Sequence, residues 1–548
     1  MRPFRVSFPI ARTILVLQLV ALLVFYIVVR FSSDLSFSRI AERYIILVAP
    51  HIYTENFNRS LSAGQGPVSG VVNKHSIEPG EHFSIALSTS SGTAGINGVL
   101  EIYRIGYYGT DDRKLVFRSD RVVVHHQLTS IDSFAVGVPW KREAIDIQTE
   151  NWDSGYYAFD FVTDRDQRVP DIAYLVVRDP DHAGDILVKL STNTYQAYNR
   201  WGGSSLYRTS VLKGVRKTNI VSFDRPTQTQ FYRWEYYYVR WLERYAQEHQ
   251  LRVGYATNHD LHAYPDIADN YKLLISPGHD EYWSQREFDV HYKRIFEQGK
   301  NTLFLSANTA YWRVRYADVN HSGLDRQMLC YKNELTNKLV VGMNVFDPLS
   351  QTQSPLPVTG LFRGKAGYPE TMLMGVGYES WFSSSKHARY GYKIRTALPW
   401  LVEGTGLREG DRVADIVGYE WDNTSLEHKG FQVWSRETAK IPYLPREQLT
   451  VVMDGHPVDD NGQPGLAQAV YFESEAGAKV FSAGTIHWAW GLGKPGFRED
   501  RFIRLNENLL AWFLDNGEAV TELNIHETET SSDPSPSAGV SAGPSQNR

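Results

Sequence analysis

The sequence predicts an α/β protein. A doubly wound sheet is preceded by a β-sandwich, and a transmembrane helix stands at the N-terminus. Three observations predict this. An uncharged run, Thr13 to Val29, follows Arg2, Arg5 and Arg12. Short alternating stretches punctuated by Gly, Pro and Asp fill residues 65–180. Beyond residue 181, apolar runs of strand length alternate with stretches of helical period, the pattern of a mostly parallel sheet with helices on both faces.

The elements follow in chain order. Residues 1–34 form the expected cytoplasmic N-terminus and anchor. The run TILVLQLVALLVFYIVV is near the lower length limit for a membrane span. Its basic flank holds the N-terminus in the cytoplasm. No small-residue cleavage motif ends the run. The expectation is therefore an uncleaved single-pass anchor in the cell membrane, with the bulk of the chain extracytoplasmic. Residues 35–64 read as a stalk. HFSIALSTS, GVLEIYRIGYYG, KLVFRSD and GYYAFDFVTD are strands of the sandwich, residues 65–180.

Residues 181–516 form the expected α/β domain. DILVKLS, LRVGYATN, YKLLISPG and NTLFLSAN are its first four strands. FYRWEYYYVRWLERYAQEHQ has apolar positions at helical spacing, and SQREFDVHYKRIFEQG is a helix with a Ser cap and a Gly stop. Residues from about 310 to 475 read as an irregular insertion over the sheet's top edge. The α/β pattern returns with AKVFSAGTIHWAWGL and the helix RFIRLNENLLAWFLDN. Residues 517–548 are a low-complexity tail.

Composition narrows the function. The net charge of -5 is spread along the chain without a basic block, which argues against nucleic acid as a partner. The single cysteine, Cys330, excludes intramolecular disulfides and Cys-based zinc sites. Its context, RQMLCYKNE, is no nucleophile elbow and reads as an inert buried thiol.

Ligands of a doubly wound sheet bind beyond the carboxyl ends of its strands. Four consecutive strands here end in polar or aromatic groups. The first is followed by Tyr195, Tyr198, Asn199 and Trp201, the second by Asn258, His259 and Asp260. His279, Asp280, Glu281 and Tyr282 follow the third, and Asn308 the fourth. His279 and Glu281 are two apart, so in extended chain they point the same way. An imidazole and a carboxylate together can hold a metal or share acid–base work. Tyrosines add phenolate oxygens, which suit a hard cation.

The motifs LLISPGHDEYWS, GKNTLFLSANTAYWRVR and VGYEWD resemble the C-terminal catalytic region of the large subunit of N,N-dimethylformamidase and its relatives, over about Asp185 to Leu514. The sandwich would match that family's upstream domain. The resemblance implies a flavodoxin-like core related to glutamine amidotransferases. It also implies a mononuclear ferric iron (Fe3+) held by two tyrosines and a glutamate, and hydrolysis of a small amide. Carried over, Glu281 is the carboxylate ligand and His279 stands behind it. Tyr198 is one phenolate ligand, with Tyr195 as the alternative. Tyr157 is the second, with Tyr156 beside it. Asn308 orients substrate and Glu420 is the acid/base. The nucleophilic Cys of amidotransferases is absent. The known amidase is soluble and has a separate small subunit, whereas this chain begins with a predicted anchor.

The expected function is therefore a membrane-anchored, metal-dependent hydrolase of small amides or related C–N bonds. A homo-oligomer and a small accessory subunit both stay open. The competing readings are a non-catalytic surface protein that binds glycans through its sandwich and aromatic rim, and a hydrolase of glycan or peptidoglycan linkages.

Overall fold

The computed structural model describes residues 67–515, apart from 91–94, 131, 208–217, 319–324, 333–346, 352–356, 365, 384–388, 426–443 and 445. The alternating stretches upstream form two facing sheets. One has three strands, in the order Val68–Val72, His82–Thr89, Ile145–Gln148. The other has six strands, with Ile96–Tyr108, Gly155–Thr163 and Arg168–Val177 at its centre. Alternation then divides the side chains between two cores. Tyr157, Phe159 and Phe161 point at the three-stranded sheet, among Phe83, Ile85 and Leu87. Tyr156 and Ala158 point the other way, into the core of the larger layer.

That layer is one nine-stranded sheet. In chain order its strands are β1 (Ala183–Leu190), β2 (Val253–Thr257), β3 (Asn270–Gly278), β4 (Asn301–Ser306) and β5 (Tyr390–Ile394). They continue with β6 (Arg412–Val417), β7 (Thr450–Gly455), β8 (Ala467–Glu473) and β9 (Lys479–Ser482). The spatial order is β2-β1-β3-β4-β9-β8-β7-β5-β6. The first five positions are parallel. From β9 to β6 every pairing is antiparallel.

In the parallel half both faces are covered. Ile186, Val188, Leu273, Ile275 and Leu303 meet the helices Tyr236–Glu248 and Asp500–Leu514. Leu187 and Leu274 point the opposite way, against Val290 of the helix Gln285–Tyr292.

This corrects the predicted fold class. The chain is strand-rich, with mixed sheets, and is not a flavodoxin-like, doubly wound α/β sheet. The physical reason lies in the expected insertion. Its strands β5 to β8 add edge-on to β9 and extend the sheet by four antiparallel strands instead of capping its top edge. The predicted anchor, Thr13 to Val29, the stalk and the tail lie outside the described residues. Among the described residues no helix is long and apolar enough to cross a membrane. The described residues thus give no support to the expected transmembrane helix and single-pass membrane protein.

Cys330 is fully buried, in a cluster with Trp312, Val314, Met328 and Tyr282. Cys330→Ser is expected to keep any hydrolysis unchanged and to cost about 1–2 kcal/mol of stability, because it buries a hydroxyl. Turnover beside a urea melt checks this. A folded but inactive variant would restore a thiolate mechanism.

Candidate active site

The site begins where β3 stops. Gly278 has φ +87, and a Cβ there would stand 2.7 Å from Cγ of Glu235, so the strand can leave the sheet here only on a glycine. The next three residues are buried and alternate. Asp280 points to one side, where it pairs with the Lys189 ammonium and accepts from Asn258 Nδ2 at 3.1 Å. His279 and Glu281 point to the other. Backbone bonds fix the segment. Ala310 N donates to Asp280 O at 3.0 Å, Trp312 N to Glu281 O at 2.9 Å, and Glu281 N to Thr194 Oγ1 at 3.1 Å. Ser284 then caps the helix Gln285–Tyr292 by accepting from Glu287 N at 3.1 Å.

Glu281, 2 % exposed, collects two phenols. Tyr198, at the end of the helix Thr192–Tyr198, donates to Oε2 at 3.0 Å. Tyr207 donates to Oε1. Their ring centroids are 4.2 Å apart. Tyr282 donates to the Tyr207 oxygen at 2.6 Å, and Lys332 donates to the Tyr282 hydroxyl. The Lys332 ammonium also lies 3.3 Å from the Tyr207 ring centroid. Burial and the Glu281 charge push both phenols, Tyr198 and Tyr207, well above the usual tyrosine range.

His279 joins this carboxylate to a second one. Its Nε2 lies 3.2 Å from Oε2 of Glu281 and 3.1 Å from Oε2 of Glu420. Burial works against its protonation, but the Glu420 and Glu281 charges outweigh it and raise its pKa to about 9. The imidazolium, Lys332 and Tyr207 in turn hold Glu281 below the usual carboxylate range against the opposing effect of burial.

Glu420 opens the strand Glu420–Asn423 and also accepts from Asn308 Nδ2 at 3.1 Å. Asn308 leaves β4 with φ +55, and its N–H donates to Asp422 Oδ1 at 2.8 Å. Burial raises the Asp422 pKa to about 7. Asn308 Oδ1 is buried without a hydrogen-bond partner.

The structure thus brings Glu281, Tyr198, His279, Glu420 and Asn308 together. It does not bring Tyr157 to them. That phenol stacks on Trp152 at 4.8 Å inside the sandwich and donates to Asp153 O at 2.6 Å. Tyr156 stacks on Phe231 at 3.8 Å, and Tyr195 donates to Glu235 Oε2 at 2.6 Å, so neither reaches Glu281. The second phenol beside Glu281 is Tyr207, which sequence reasoning missed. It follows Ser204–Leu206, with neither periodicity nor a strand end to mark it. The residues after β2 serve the fold. Asn258 bonds Asp280 and Glu287, Asp260 caps its own helix, and His259 stacks on His75 at 3.9 Å.

Among the described residues no group of three or more His, Cys, Asp or Glu is arranged to hold a metal ion. The oxygens of Glu281, Tyr198 and Tyr207 are a different donor set, one carboxylate and two phenols. Both phenols face an anion, in surroundings that strongly oppose their ionisation. A hard cation of high charge would reverse that balance by taking the place of the phenol protons. The residues present therefore fit the ferric ion that the resemblance implies.

No curated protein matches the chain. Two solved structures show weak likeness. One is from a study of T cell specificity and activation by the bacterial superantigen toxic shock syndrome toxin-1, at 11% identity over 20% of this chain and 98% of that one, with a TM-score of 0.13. The other is the alkylpurine DNA glycosylase AlkC of Pseudomonas fluorescens bound to DNA with an abasic site analog, at 10% identity over 27% of this chain and 49% of that one, with a TM-score of 0.14. Likeness that weak says nothing of the fold. A family model described as N,N-dimethylformamidase beta subunit-like, C-terminal, matches residues 99–500. It starts within the sandwich, well upstream of Asp185, and its span includes every residue of the cluster at Glu281. It supports an amidohydrolase-like function. The chain belongs to the N,N-dimethylformamidase beta subunit-like family.

Proposed function

We propose that the chain hydrolyses small amides, or related C–N bonds, where Glu281, His279, Glu420 and Asn308 meet. One observation carries this reading. A carboxylate held by an imidazolium and an amide, Glu420, stands next to the convergent oxygens of Glu281, Tyr198 and Tyr207. Those three residues would hold a mononuclear ferric ion, which supplies Lewis acidity toward an amide carbonyl.

The chain's own groups then divide the work. Glu420 takes a proton from the attacking water as its oxygen bonds to the carbonyl carbon. It passes that proton to the amide nitrogen as the C–N bond breaks, leaving a carboxylic acid and an amine. His279, protonated, bridges Glu420 and Glu281 and keeps two buried carboxylates apart without net repulsion. Asn308 uses Nδ2 on Glu420, which leaves its unpartnered Oδ1 to accept a substrate N–H. The beta-subunit-like family name also supports a small accessory subunit as partner.

Purified protein is expected to hold about one iron per chain and to absorb in the visible, because phenolate donates charge to ferric iron. Glu281→Gln should lose most of the metal. Tyr207→Phe should shift or bleach the band, whereas Tyr157→Phe should leave it in place. Elemental analysis beside a visible spectrum decides. A colourless, metal-free wild type that still hydrolyses formamide would remove the iron.

A further inference from the structure

We propose that the amide taken by this site carries a carboxylate, which Arg233 and Lys494 bind; the substrate assignment rests on the amidase reading above. The observation is a wall of aromatic rings that starts at the acid–base pair. Tyr419, the residue before Glu420, has its ring centroid 5.8 Å from that of His279. Trp234 stacks on Tyr419 at 5.3 Å and on Trp490 at 5.5 Å. His487 stacks on Trp490 at 3.7 Å.

Two cations stand on this wall. The Arg233 guanidinium is 4.3 Å from the Trp234 centroid and 6.0 Å from that of Tyr419. The Lys494 ammonium is 2.9 Å from the Trp490 centroid. Among the described residues neither has a carboxylate within 4.0 Å. Arg252, by contrast, meets both Asp179 and Asp181.

Neighbouring groups feel this uncompensated field. Burial and then Arg233 bring the Lys494 pKa down to about 8. Burial, Lys494 and Arg233 hold His487 well below the usual histidine range. His487 Nε2 is buried and has no hydrogen-bond partner. Two adjacent cations without a counter-charge among the described residues favour an anionic ligand, and a guanidinium suits a carboxylate in particular. A substrate carbonyl at Glu420 lets its substituent run along Tyr419 and Trp234 to the cations. The aromatic faces take the hydrocarbon part. A neutral dialkylamide would leave both cations unanswered.

N-formyl-6-aminohexanoate and N-pentylformamide test this, because they share the scissile bond, are long enough to follow the aromatic wall and differ by the carboxylate. With the full chain, kcat/KM is expected to favour N-formyl-6-aminohexanoate by about tenfold or more, the size of one charge-assisted contact. The double variant Arg233→Gln, Lys494→Gln should erase that preference through KM. Isothermal titration of N-formyl-6-aminohexanoate into Glu420→Gln protein, which lacks the acid/base, reads binding without turnover and should weaken about tenfold when Arg233→Gln, Lys494→Gln is added. Hydrolysis of both compounds without preference, and without effect of the variant on binding, would overturn the inference and keep the amidase reading. Saturable binding that the variant weakens, with no hydrolysis of either compound, would keep the anion site and overturn the amidase reading. No hydrolysis and no binding would overturn both.

Discussion

Glu420→Gln is expected to lower kcat for amide hydrolysis by about 10²–10⁴-fold while the fold stays intact, the range for loss of a positioned acid–base group. The substitution keeps the shape of the side chain. A glutamine carbonyl can still accept from Asn308 Nδ2 and face His279 Nε2, which now lie 3.1 Å from Oε2 of Glu420. It cannot take the proton of water and return it to nitrogen. Because Glu281, Tyr198 and Tyr207 are untouched, the metal and the visible band should survive. Saturation kinetics on formamide, read beside metal content and a urea melt, check this. A folded, metal-loaded variant with more than about a tenth of wild-type kcat would remove Glu420 from the acid–base role.

The same geometry shows which parts of the site could be read from residues alone. Period two in extended chain sent His279 and Glu281 to one side and Asp280 to the other, and that relation needs no tertiary information. The apolar runs marked β3 and β4, so the residues after them could be placed at strand ends. Tyr157 failed for the complementary reason. Alternation says that Tyr156 and Tyr157 lie on opposite faces of their strand, but not which layer covers which face. The three-stranded sheet covers the Tyr157 face. Tyr207 belongs to a loop whose position is set by contacts made from Glu281, Tyr282 and Lys332, all distant in sequence.

Strand pairing was hidden in the same way. The described residues between 390 and 473 hold short strands, and nothing local says that they extend the β9 side of the sheet in antiparallel order. Pairing of that kind depends on neighbours far along the chain more than on local propensity. The doubly wound expectation was a mostly parallel sheet with residues 310–475 as an insertion over its top edge, whereas β8, β7, β5 and β6 from that stretch make up the other half of the sheet.

Lys189→Met should produce the largest loss of stability, about 3–5 kcal/mol, the range for leaving a buried charge without its partner. Lys189 lies on β1 and is fully buried, as are Asp280 and Glu287. Its ammonium contacts the Asp280 carboxylate, lies 3.0 Å from Oε1 of Glu287, and faces the Trp283 ring at 4.4 Å. Asn258 Nδ2 donates to both acids, at 3.1 and 2.8 Å. Burial raises the Glu287 pKa to about 8; Lys189 opposes the shift and Asp280 adds to it. At neutral pH Glu287 therefore keeps its proton, and one cation faces one anion. Methionine fills the space of the lysine stem but leaves that anion alone. Asp280 is also the anchor between His279 and Glu281, so the loss should loosen the catalytic pair and lower turnover. Lys189→Met with Asp280→Asn removes both charges and should recover most of the stability. Urea midpoints of the single and double variants make the comparison, and equal midpoints would show that the charge pair is not the cause. The sign of the pH dependence follows from Glu287. A folded pKa raised from 4.5 to about 8 means that the folded state binds the extra proton. Its contribution is full below the lower value and is lost as pH rises through the upper one. Wild type should therefore lose part of its stability between those limits, and a Glu287→Gln variant, which has no proton to lose, should not show that component.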